Sequence, residues 1–167
     1  MIYFKNLKLI FIFVLLLSSC AKKKDDIVLE YKAPFDNQKL IDSLIDQSIN
    51  KGNEKAYCEL STFYLVENME TKLFYYSFLM ANKNNTPYAF KDVFYILKSE
   101  SKDQDINNLD NQTKNMALAY LLKAYELGDE NAKYEVFEIF GEKKIPKSKY
   151  YFNKLSECLV LKAQPSL

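Results

Sequence analysis

The chain has 167 residues, with 23 lysines, 22 acids and a formal charge of +1, and it contains no histidine, arginine or tryptophan. The charge balance excludes a strongly basic nucleic-acid binder and an acidic tail. The missing residue types exclude Ser-His-Asp and Cys-His catalysis, histidine-ligated metals and arginine clamps on phosphate.

A hydrophobic content of 49%, with 13 Tyr and 12 Phe but only 3 Gly and 4 Pro, describes a globular chain that favours helices over a turn-rich β fold. Met1 to Ser19 (1–19) reads as a targeting segment, set apart from the fold. Lys5 and Lys8 precede an unbroken apolar run, Leu9 to Leu17, of nine residues. A bilayer-spanning helix needs about 20. Leu17-Ser18-Ser19-Cys20 then resembles the lipobox of bacterial lipoproteins. That resemblance implies cleavage before Cys20 and its fatty acylation, palmitate included. Several acyl chains hold a protein stably where one holds it marginally. Cleavage removes two lysines and no acid, leaving 21 Lys against 22 acids. The anchor is therefore the lipid and not attraction to anionic headgroups. Residues 20–35 form the lipidated cysteine and a flexible tether. No Asp follows Cys20, which points to the outer rather than the inner membrane. Lys24-Asp25-Asp26 resembles the surface-export signal of Bacteroidota lipoproteins, and reads equally as a solvated tether.

From Asp36, a plausible N-cap, apolar residues recur at three and four, the helical period. Ile41, Leu44, Ile45 and Ile49 share a face with Ser48, and Lys51-Gly52 ends the run. Ala56, Leu60, Phe63 and Tyr64 open a second helix. The unit then recurs. Gly52-Asn53-Glu54-Lys55-Ala56 parallels Gly128-Asp129-Glu130-Asn131-Ala132. Asn85-Thr86-Pro87-Tyr88-Ala89 does the same work, with Asn as the left-handed residue, Thr86 as cap and Pro87 in the first turn. Four residues before the turn stand Ser48, Ala81 and Ala124. Seven before stand Ile45, Phe78 and Leu121. Four after the alanine stand Leu60, Val93 and Val136, and seven after stand Phe63, Ile96 and Ile139. Small residues let helices approach, large ones fill the seam, and single units must stack to bury their faces.

The segment from Met116 to Ala132 resembles the Sel-one-like repeat, a relative of the tetratricopeptide repeat. Tyr120, Lys123, Ala124, Gly128, Asp129 and Ala132 match its pattern. Asp42 to Tyr64 lacks the first-helix aromatics, Phe74 to Leu97 lacks the glycine, and Ser148 to Leu155 is a partial fourth copy. Ala56 to Ala89 spans 33 residues and Ala89 to Ala132 spans 43. The ten extra residues lie in Ser99 to Thr113, read as a flexible polar loop. Ile145-Pro146-Lys147 starts a last helix, to about Leu161. The expected fold is all-α: a short α/α solenoid of about three helix pairs plus a C-terminal capping helix over 36–162, with 163–167 as tail.

Asp103, Asp105 and Asn107 alternate as in an EF-hand loop, but Asn108 stands where glycine belongs and Lys114 where glutamate belongs, so a solvated loop is expected. An oxidising envelope permits a disulfide. Cys58 and Cys158, however, fall in the first unit and the last helix, and are read as small buried hydrophobes. No carboxylate pair stands in an apolar setting, so no catalytic residue, metal or cofactor is expected. Tyr75, Tyr76, Tyr120, Tyr125, Tyr150 and Tyr151 fall on first helices, which the resemblance places on the concave face. Tyr120 and Tyr151 read as packing. Tyr75, Tyr76, Tyr125 and Tyr150 are the candidate partner-binding residues. The expected function is an envelope lipoprotein that is non-catalytic and binds a protein partner. It faces the periplasm or the cell surface, meets membrane only through its lipid, and binds no nucleic acid. A scaffold or assembly factor, and an immunity or inhibitor lipoprotein directed at a toxin or hydrolase, both fit. A hydrolase is a remote third reading.

Overall fold

The computed structural model describes residues 38–163, with side chains to 156. The lipobox, Cys20, the tether, Asp36, the Cys158 side chain and the last four residues lie outside the described residues. Helix α1 (Gln38–Ile45) widens into a π-helical turn, Asp46–Asn50. It is followed by α2 (Glu54–Val66), α3 (Glu70–Asn84), α4 (Pro87–Ser99), α5 (Asn111–Glu126), α6 (Glu130–Phe140) and α7 (Ser148–Ala163). No strand occurs among the described residues. No helix there is long and apolar enough to cross a membrane. The fold is an all-α stack of three helix pairs, α1/α2, α3/α4 and α5/α6, with α7 as the cap. Helices α2 and α3 both pack on the π turn, each helix from α3 to α6 packs on its predecessor, and α7 lies along α5.

Local chemistry sets the boundaries. Gly52 has φ +66° and Asn85 φ +56°, the left-handed turns that stop two first helices. Asn53 Oδ1 accepts from the Ala56 N–H at 3.2 Å, and Asp129 Oδ1 from the Ala132 N–H at 2.8 Å. These side chains satisfy donors that a helix start leaves unpaired. Thr86 departs from expectation. It holds the N-cap position, but its hydroxyl makes no capping bond. Pro87 sets the first turn there instead. The π turn leaves carbonyls at the end of α1, and α3 meets them. Asn84 Nδ2 donates to Ile49 O at 3.1 Å and Ser48 O at 3.4 Å. A Cβ on Gly52 would lie 3.1 Å from Asn84 Oδ1, so this glycine also permits a close approach.

The repeat register holds in three dimensions. Ala56, Ala89 and Ala132 are buried, as are Ser48, Ala81 and Ala124, and Leu60, Val93 and Val136. Phe78 differs, at 37% exposed, whereas Leu121 in the equivalent place is fully enclosed. Helix α4 is buried on most of its circumference, Lys91 and Asp92 included, because it lies between α3 and α5.

The segment between α4 and α5 is folded and not a loose loop. Two 3₁₀ turns, Lys102–Gln104 and Ile106–Asn108, carry it. Ile106 is buried against the core. Asp105 accepts from the Asn107 N–H at 2.9 Å, and Asp110 caps α5 through the Gln112 and Thr113 N–H groups. At the far end, Glu126 accepts from the Ser148 N–H at 2.9 Å and the Ser148 hydroxyl at 2.7 Å. A carboxylate at the start of α7 also suits the positive end of its dipole.

Candidate functional site

Three features stand out. The first is an aromatic array along the first helices. Tyr120 on α5 is buried and central. Phe78 of α3 stacks on it at 5.9 Å, Phe90 of α4 lies at 5.4 Å, and Phe152 of α7 meets it edge-on at 5.6 Å. Phe74 extends the row, 6.3 Å from Phe78. The Tyr120 hydroxyl accepts from Asn82 Nδ2 at 2.6 Å, and burial pushes its pKa up. The row crosses α3, α5 and α7, and its exposed member is Phe78. Aromatic groups that are large, apolar and bear few rotatable bonds suit a recognition surface.

The tyrosines singled out from sequence divide. Tyr75 is 58% exposed and lies edge-on to Tyr76, which stacks on the buried Tyr64 at 5.6 Å. Tyr125 is half-buried against Phe137 of α6. Tyr150 is 53% exposed, with Tyr151 beside it and the Lys154 ammonium 4.5 Å from its ring centroid. Tyr75 and Tyr76 therefore form one small aromatic cluster, while Tyr125 and Tyr150 have other partners. Tyr120 packs in the core, as its repeat position implied. Phe78, Asn82 and Phe152 escaped the sequence reading, which weighed tyrosine alone. The signal for Phe78 was present, seven residues before a turn.

The second feature is a buried polar network. Asp92 of α4 receives Ser61 Oγ at 3.0 Å and meets Tyr57 Oη at 2.8 Å. Tyr57 Oη also meets Ser77 Oγ at 2.7 Å, and Ser77 Oγ donates to Leu73 O at 2.8 Å. The Tyr57 and Ser61 hydroxyls thus both donate to Asp92 Oδ2. Burial pushes the Asp92 carboxyl up to about 6, opposed by the Tyr57 hydroxyl, by Lys91 and by Ser61. The Lys91 ammonium is itself buried, 3.7 Å from the Tyr88 ring centroid. Cys58, a free and half-buried thiol, lies beside this network, and burial and then Asp92 raise its pKa. Such a thiol is protonated and poorly nucleophilic.

The third is a cleft of about 570 Å³ beneath the segment between α4 and α5. Ile106, Leu118, Ile139 and Phe140 give it apolar walls. Lys98 Nζ donates to Glu135 Oε2 at 2.9 Å across it, a pair with both side chains mostly buried. Lys114 Nζ donates to Asn107 Oδ1 at 2.6 Å. Asp103 stands at its edge in a left-handed conformation, φ +58°.

No group of three or more potential metal ligands occurs among the described residues. No family model, no curated protein and no solved structure matches the chain.

Proposed function

We propose that this protein is a lipid-anchored envelope module that holds a protein partner against its first helices and performs no catalysis. The anchor is Cys20, by resemblance to the lipobox. The observation that carries the reading is the aromatic row Phe74, Phe78, Tyr120 and Phe152, which joins three successive first helices and presents Phe78 to solvent. Packed side chains from three elements hold it in place, so little conformational entropy is lost on binding. The carboxylate with a strongly raised pKa among the described residues supports the non-catalytic part. Asp92 is closed in by Tyr57, Ser61 and Ser77 and offers no face to a substrate. The partner belongs to an envelope assembly. If instead it is a toxin or a hydrolase, the same surface serves as its inhibitor. Fold and compartment enter here as analogy, and the named surface as the physical argument.

Two measurements test this. Cys20→Ser should move the protein from the membrane fraction to the soluble fraction, and persistent membrane association would overturn the anchor. Cross-linked capture of the native lipidated chain, followed by mass spectrometry, should yield one stoichiometric partner that Phe78→Ser loses. Equal recovery by the variant would overturn the proposed surface.

A further inference from the structure

We propose that the cleft between α4, α5, α6 and the folded insert is a second recognition site, one that takes a basic segment of a protein partner. It uses none of the aromatic row, so it stands or falls independently of the reading above. The ten-residue departure from the repeat period builds one wall of the cleft, through Ile106 and Asp103. The volume, about 570 Å³, falls in the roughly 300–1,000 Å³ range of ligand sites. It holds several side chains of an extended peptide.

The charges then specify the ligand. Asp103, Asp105, Glu135 and Glu138 line the cleft together with Lys98 and Lys114. Lys98 is committed to Glu135 at 2.9 Å, and Lys114 is bonded to Asn107. Asp105 holds the Asn107 N–H. Asp103 and Glu138 have no ion-pair partner among the described residues. The residual field is negative, above an apolar floor of Ile106, Leu118, Ile139 and Phe140. A lysine or arginine side chain matches both parts. Its methylene stem lies on the floor and its cationic head meets Asp103 and Glu138. An acidic segment would meet like charge, and a purely apolar one would leave both carboxylates desolvated without partners.

The test uses the full-length chain in neutral phosphatidylcholine nanodiscs. The probes are fluorescent acetyl-Lys-Leu-Lys-Leu-Lys-amide and its counterpart with glutamate for lysine. The lysine peptide should bind, more weakly as salt rises, and the glutamate peptide should not. Asp103→Asn with Glu138→Gln should weaken binding about fivefold, as expected for the loss of two partly exposed ion pairs. Glu59→Gln, outside the cleft, and Phe78→Ser should leave it unchanged. Absence of lysine-peptide binding, equal binding of the two peptides, or an equal loss with Glu59→Gln would overturn the proposal. Loss of binding with Phe78→Ser alone would assign the peptide to the aromatic row and overturn it as well.

Discussion

Asp92 is the residue with the most specific consequence. Its carboxyl is neutral most easily in the fold, with a pKa of about 6 against 3.8 in the open chain. Between those values the native state holds more protons than the unfolded state. Stability therefore falls as pH rises through this window and levels off above it. The full effect is about 3 kcal/mol, from roughly two pKa units. Asp92→Asn keeps an acceptor for Tyr57 and Ser61 and removes the titration. The variant should lose the slope between pH 4 and pH 7 and be at least as stable as the wild type at pH 7.5 in urea unfolding. A wild-type stability that is flat across this range would contradict the raised pKa of Asp92. Nothing in the sequence marked this position. Lys91 and Asp92 are adjacent charged residues, and the placement of α4 between two other helices is what buries them. The caps are the opposite case. Asn53, Asp129 and Asn85 were legible because their roles depend on neighbours within four residues.

Among the elements, helix positions follow from apolar spacing, and the alanines of the seam are buried where the register puts them. Long-range satisfaction of helix ends was not legible. Asn84 serves α1 from α3, 35 residues away from Ile49. Asn84→Ala leaves those carbonyls unpaired and should cost about 1–3 kcal/mol. Gly52→Ala should also destabilise, and by less in an Asn84→Ala background, because the 3.1 Å approach to Asn84 Oδ1 is then gone. A double-mutant cycle in denaturant measures this coupling, and strict additivity would contradict it. The insert was misread as loose because 3₁₀ turns carry no helical period and its composition is polar. Its most deeply buried apolar side chain, Ile106, is 6% exposed, and Leu109 also packs on the core. Ile106→Ala should cost about 2–4 kcal/mol, the value for a core position. A change under about 0.5 kcal/mol would return the segment to the solvent.

At the scale of the whole molecule, each helix pair completes the core of its neighbour, and α7 closes the stack against α5 through the Glu126–Ser148 cap. The recurring Gly-Asn and Gly-Asp turns made this architecture readable. The proposed partner surface was not, because periodicity reports which residues face a neighbour and not which of them remain open. Phe78 occupies a position that is fully enclosed in the next unit, as Leu121, yet it is 37% exposed. That difference is the basis of the proposed partner surface. Photo-cross-linking in cells tests it most directly, with p-benzoylphenylalanine in place of Phe78 and, separately, of Tyr134, which is 73% exposed on the second helix α6. The account expects one discrete adduct from position 78 and none from position 134. Equal labelling at both positions, or labelling at 134 alone, would contradict a partner held against the first helices.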